Sequence, residues 1–195
     1  WKNGENHLVF NMISGTAPDF STVVELQLGN AMIAGAGFDT YTFRENFDVS
    51  LPVFSPVAKL AEVKDTSHDR SWLVTSSQLN IDPYYLNELQ KLSHQYHESL
   101  LILDACHNRN YSQRCDVNSG QKYAYPEILQ ETIFCIIFRG ERMSQFVLLE
   151  AMAANCIPVV VIDGHVMPFK NVIDWKHFFC FHNGRPLEYS DGCAQ

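Results

Sequence analysis

Two long apolar runs, TIFCIIF (Thr132 to Phe138) and CIPVVVI (Cys156 to Ile162), bracket a segment with helical apolar spacing. A strand that is apolar at nearly every position, not at alternate ones, must be covered on both faces. Two such strands joined by a helix make a βαβ crossover, which sets them parallel in one sheet. An earlier stretch has the same order. SWLVTSSQ (Ser71 to Gln78) reads as a strand, DPYYLNELQKLSHQYH (Asp82 to His97) as a helix, and SLLILDAC (Ser99 to Cys106) as a buried strand. Asp82 suits the helix cap, Pro83 the first turn, and Leu86, Leu89 and Leu92 recur at helical spacing. The pattern predicts an α/β fold with a largely parallel sheet.

The remaining segments are shorter. HLVFNMI (His7 to Ile13) reads as a strand, and NAMIAGAGF (Asn30 to Phe38) as a helix or strand ending in a glycine-rich turn. AGAG does not complete a phosphate-loop pattern, and tight backbone approach at a strand end explains it better. NFDVSLPVFS (Asn46 to Ser55) contains an extended segment. LAEVKDTSHDRS (Leu60 to Ser71) is polar and reads as a surface loop, linker or insertion. YPEIL (Tyr125 to Leu129) begins a short helix, and PFKNVIDWKHF (Pro168 to Phe178) holds a helical turn.

At 195 residues, 46% apolar and 18% charged, the chain can bury a core as one domain or as two small lobes. The net charge is −8 and no long basic tract occurs, so nucleic acid is not an expected partner. Six cysteines include no CxxC pair and no zinc-binding spacing. Asn110-Tyr111-Ser112 is an N-glycosylation acceptor, and with an even cysteine count it favours a secretory compartment. Reduced buried cysteines beside an unused acceptor are the alternative. No apolar run reaches membrane-spanning length and no signal peptide opens the chain. The first residue is Trp1, as expected of a piece of a longer protein.

Open parallel sheets bind ligands beyond the carboxyl ends of their strands. FRGERMS, which follows TIFCIIF, occupies such an end. Ser144 is the expected N-cap of the next helix, whose first N–H groups would attract phosphate. Arg139 and Arg142 could each offer a fork of donors to a diphosphate. No DxD pair lies near, which fits a site without a metal. Glu150, the helix's one acid, could accept hydrogen bonds from ribose hydroxyls. Otherwise it faces solvent, pairs with Arg142, or marks an edge of the buried face. Asp19, Asp39 and Asp48 are candidate bases for an acceptor hydroxyl, or else turn caps. His7, His165 and His182 are too scattered to ligate a metal. Asp104, Cys106 and His107 crowd one strand end, which loop packing or a disulfide explains. Trp72 and Trp175 read as core or rim.

HLVFNMISGTAPDF, AMIAGAGFDTYTFRENFDVSLPVFSP, YPEILQETIFCIIFRGERMSQFVLLEAMAANCIPVVVIDG and MPFKNVIDWK together resemble the exostosin-type (GT47-like) glycosyltransferase domain. The likeness runs from Trp1 to about Lys176. It implies a GT-B-like architecture of two Rossmann-like lobes with largely parallel sheets. Residues 1–70 would supply part of the acceptor-side lobe, and residues 71–195 the more clearly represented donor-side lobe. Active relatives transfer glucuronic acid from a UDP donor, with inversion and without a metal or other cofactor. Arg139 then falls near the donor diphosphate and Glu150 at the donor ribose. Gln145 stands where active members carry a serine, and Val147 where they carry an arginine, so the resemblance implies a degenerate UDP-sugar site, with a competent inverting glucuronosyltransferase and a non-catalytic partner-binding scaffold as the alternatives. It further implies a heparan sulfate co-polymerase with a partner exostosin as heterodimer and a glycosaminoglycan acceptor. The setting would be the Golgi or endoplasmic reticulum lumen, within a type II membrane protein whose anchor lies outside this chain.

Overall fold

A computed structural model describes residues 1–11, 28–61, 69–79, 81–107, 112–140, 143–175 and 180–181. Asp19, Arg142, His182, most of the 60–71 loop and the glycosylation acceptor lie outside the described residues, as does the rest of the first strand run after Asn11.

The fold is α/β with two sheets. A three-stranded parallel sheet has the order β1 (Leu8–Asn11), β2 (Met32–Gly35), β3 (Val49–Ser50). NAMIAGAGF is therefore a strand, and NFDVSLPVFS contributes a ladder of two residues. The larger sheet has seven strands. These are β4 (Trp72–Ser76), β5 (Leu100–Ala105), β6 (Gln113–Asp116), β7 (Lys122–Ala124), β8 (Thr132–Phe138), β9 (Ile157–Val161) and β10 (Cys180–Phe181). Their spatial order is β10-β9-β8-β4-β5-β6-β7. The strands from β10 to β5 run parallel, as the apolar runs require. β6 and β7 form an antiparallel hairpin on the β5 edge that the sequence pattern does not anticipate. QRCD and KYA are short and polar, so their periodicity is too weak to mark strands.

Among the described residues, two α-helices sit on opposite faces of the large sheet. α1 (Pro83–Gln95) begins at Asp82, whose side chain accepts from the Tyr84 amide, as its sequence predicts. It packs Leu86 and Leu89 onto Ile102, Ile136 and Phe138. Leu92 is instead exposed, because Ser93 takes the inward position and its hydroxyl accepts from Asn118 Nδ2 at 2.8 Å. α2 (Val147–Ala153) lies over Cys135 and Ile137, the intervening positions of β8. YPEIL forms a short 3-10 turn at Glu127–Leu129.

Two disulfides brace the large sheet. Cys135–Cys156 links the middle of β8 to the entry of β9 beneath α2, and Cys106–Cys115 ties the end of β5 to β6. The second accounts for the crowding at Asp104, Cys106 and His107. Among the described residues no helix is long and apolar enough to cross a membrane.

Candidate functional site

The strand order reverses at β4. The chain passes from β4 through α1 to β5 on one side, whereas β8 flanks the other side. A crevice opens where neighbouring strands lead their connections to opposite faces. Gln78 and Arg139 stand at this carboxyl edge, just past the paired ends of β4 and β8.

Arg139 is exposed here. Its charge is felt by Asp39, five residues along the chain from Ala34 of β2. Burial works to raise the Asp39 carboxyl. Hydrogen bonds from the Thr42 hydroxyl and amide and from the Tyr41 amide, with the nearby Arg139 charge, outweigh it and hold the carboxyl below the usual range. A carboxylate held low is a weak base. Asp48 is excluded from such a role by its surroundings. It is buried and accepts from the Ile33 amide at 2.9 Å and from Arg44 Nη2 at 2.7 Å, so it serves the small sheet's own fold.

The segment after β9 joins the two sheets. Thr40 N donates to Gly164 O at 2.9 Å, Val166 N to Phe38 O at 3.0 Å, and Ser50 Oγ to Val166 O at 3.1 Å. Val166 packs with Phe38 and Phe43. This places His165 opposite Asp39 at the junction. Its Nδ1 is enclosed without a hydrogen-bond partner among the described residues, and burial pushes the imidazole down to about 4.

The helix entry differs from the sequence expectation. α2 starts at Val147 with Phe146 as N-cap and no side-chain cap, so Ser144 does not cap it. Ser144 is buried in the preceding loop. The first-turn amides of Leu148 and Leu149 turn back onto the Gln145 and Phe146 carbonyls, which consumes donors that an anion would need. Val147 is 6% exposed and packs against Ile137, Val160, Met167 and Trp175.

Glu150 is neither at the surface nor on an edge of the buried face. It is 4% exposed, and both carboxylate oxygens are engaged. Ser55 Oγ donates to Oε1 at 2.5 Å, and the Tyr125 hydroxyl donates to Oε2 in a short bond. Tyr125 in turn contacts Ser77 Oγ at 3.5 Å, and the Arg114 guanidinium lies over its ring. Burial first, then the adjacent Glu150 charge and the bond to it, raises the Tyr125 hydroxyl far above its ordinary value, so it remains a donor. This buried chain of polar groups links the connection after the small sheet, the 3-10 turn, β4 and α2. Sequence reasoning misses Ser55, Ser77, Gln78 and Tyr125, because no motif marks residues that meet across such separations.

Among the described residues no group of three or more His, Cys, Asp and Glu side chains is arranged to hold a metal. Neither His7 nor His165 belongs to such a group.

The family model described as the Exostosin GT47 domain matches residues 1–182. Exostosin-2 of Mus musculus is 42% identical over 180 residues, which covers 90% of this chain and 25% of that protein. Exostosin-2 of Homo sapiens is 39% identical with the same coverage, and Exostosin-1b of Danio rerio is 35% identical over 197 residues, 26% of its length. The chain thus spans about a quarter of the length of the curated relatives it matches.

Proposed function

The chain belongs to the exostosin GT47 family and is related to Exostosin-2, and from that premise we propose that it is the glycosyltransferase domain of a heparan sulfate co-polymerase subunit with a weakened UDP-sugar site. It supports chain elongation on a glycosaminoglycan acceptor together with a partner exostosin. The two sheets act as GT-B-like lobes, the small one on the acceptor side and the large one on the donor side. Arg139 and Arg142 meet the donor diphosphate, and Glu150 lies at the ribose end. The site sits in the lumen of the Golgi or endoplasmic reticulum, within a type II membrane protein. Two disulfides favour that oxidising setting.

The observation that carries the weakened site is the state of Glu150. Ser55 and Tyr125 already donate to its two oxygens inside the core. A ribose would have to reach a carboxylate that is enclosed and partly spent. The helix start is consumed by its own carbonyls, and Val147 is packed into the core without charge. These features lower donor affinity without removing Arg139.

Calorimetric titration of the domain with UDP and UDP-glucuronic acid tests this reading. Weak, saturable binding in the millimolar range is expected. Tight binding that disappears in Glu150→Ala, with the fold intact, would overturn it. Glucuronic acid transfer onto a defined heparan precursor separates the roles. Transfer that requires the partner fits the co-polymerase subunit. A second reading, a competent inverting glucuronosyltransferase, is favoured by Arg139 standing exposed at the carboxyl edge of the large sheet with its charge acting on Asp39. Transfer by the purified domain alone would establish it instead.

A further inference from the structure

Gln78 is a polar side chain that the fold buries and uses by half. It is 2% exposed, and its Oε1 accepts from the Phe138 amide at 3.1 Å. That bond fixes the orientation of the side-chain amide, because a backbone N–H can face only the oxygen. Nε2 must then point away from β8, and it has no hydrogen-bond partner among the described residues. A buried donor left unmade is costly to a fold, on the order of 1–3 kcal/mol, and native proteins rarely retain one without a use.

The surroundings of Nε2 point to that use. A Cβ placed on Gly140 would lie 3.3 Å from Gln78 Nε2 and 3.1 Å from Gln145 Nε2. The missing side chain at Gly140 thus leaves a notch bounded by two side-chain amides, immediately after Arg139. Gly140 does not need a left-handed backbone, so the glycine serves close approach there and not a turn. Ser76 Oγ, at the end of β4 and two residues before Gln78, is a second buried polar atom without a partner among the described residues. All of this lies at the carboxyl ends of β4 and β8, where the strand order reverses.

We propose that Gln78 is a ligand-binding residue, its Nε2 donating to a phosphoryl oxygen that enters the notch over Gly140 beside Arg139. The inference rests on the donor-site reading and adds a residue and a contact to it. A neutral amide and one guanidinium would hold the diphosphate of a uridine nucleotide. The same chemistry would also accept inorganic pyrophosphate. The nucleoside itself makes no use of this donor.

The test is titration of the domain with UDP, inorganic pyrophosphate and uridine, followed by NMR chemical shifts at millimolar ligand. Two variants are compared with the wild type. Gln78→Glu keeps an oxygen toward the Phe138 amide and replaces the donor with a second oxygen. Gly140→Ala puts one methyl group into the notch at 3.1 Å from Gln145 Nε2 and 3.3 Å from Gln78 Nε2, so that both amides must give way by a few tenths of an ångström while the Gln78 residue itself is kept. Each should weaken UDP and pyrophosphate about tenfold, the scale of one lost charge-assisted hydrogen bond, and leave uridine unchanged. The crowding at Gly140→Ala falls on the mobile ends of two side chains and not on backbone, so it should stay folded, as its melting temperature and amide spectrum would show, which keeps the test valid if Gln78→Glu folds poorly. If the wild type binds UDP and Gly140→Ala binds it equally well, this inference falls and the donor site stands. Equal losses for UDP and uridine would place the contact away from phosphate and overturn it as well. If the wild type binds neither UDP nor pyrophosphate, the donor-site reading fails and takes the inference with it.

Discussion

Ser55 and Glu150 are 95 residues apart in sequence, yet the Ser55 hydroxyl donates to the Glu150 carboxylate at 2.5 Å inside the core. The bond fastens α2 to the connection that leaves the small sheet. With the Tyr125 hydroxyl on the other oxygen, it makes Glu150 a structural hub at the position where the resemblance places ribose recognition. A buried carboxylate persists only when its oxygens are satisfied, and here the protein itself supplies the donors.

Removing that acceptor should destabilise the domain even without any ligand. Glu150→Ala strands the Ser55 and Tyr125 hydroxyls and opens a cavity, for an expected loss of roughly 2–4 kcal/mol. Glu150→Gln keeps an acceptor oxygen and should lose less. Urea midpoints at constant m-value would measure both. Equal stability of Glu150→Ala and wild type would mean that the hub carries no weight.

Asp48 should behave as a fold residue and not as a base. Its carboxylate receives the Ile33 amide, the Arg44 amide and two Arg44 guanidinium nitrogens. Asp48→Ala leaves the Arg44 guanidinium without its carboxylate, at a cost of about 2–4 kcal/mol, since Arg44 is partly solvated and recovers some hydration. Thermal melts should show the loss, whereas UDP affinity of the folded fraction should not change.

The Cys135–Cys156 bridge closes a loop of 21 residues under α2. Replacing both cysteines with serine should lower stability by about 3 kcal/mol through the freer unfolded chain. The comparison belongs in denaturant unfolding of the oxidised protein against the double variant. An unchanged midpoint would deny the bridge a stabilising role.

His165 should make the junction between the sheets sensitive to acid. Burial lowers the folded imidazole from 6.5 to about 4. Above the higher value both folded and unfolded forms are neutral and the full stability is present. As pH falls from 6.5 towards 4, the unfolded chain takes up a proton that the folded one refuses, so stability declines. Below 4 this contribution is flat. The loss is at most about 3 kcal/mol, because part of the residue reaches solvent. Stability curves for wild type and His165→Asn should therefore diverge within that window. Parallel curves would show that His165 titrates normally.

Much of the large sheet is legible in the sequence. TIFCIIF coincides with β8, and the SWLVTSSQ, DPYYLNELQKLSHQYH and SLLILDAC runs contain β4, α1 and β5. Local periodicity decides such elements, since a continuous apolar strand and a 3.6-residue stripe each have one comfortable packing. The β6–β7 hairpin escapes because QRCD and KYA carry no such pattern. Ser144 reads as a cap because its residue type suits one, but helix initiation depends on which carbonyls the first amides reach, and these belong to Gln145 and Phe146.

The sequence by itself determined the parallel α/β sheet, its strand–helix alternation and the family to which the chain belongs. Those properties follow from spacing between near neighbours and from motifs read in order. Tertiary structure alone decided that Glu150 is buried against Ser55 and Tyr125, that Gln78 presents an unused donor over Gly140, and that the Arg139 charge reaches Asp39. A carboxylate, an amide and a guanidinium have no fixed role in a sequence. Their protonation, solvation and partners are set by what folding brings beside them, and those neighbours come from distant parts of the chain.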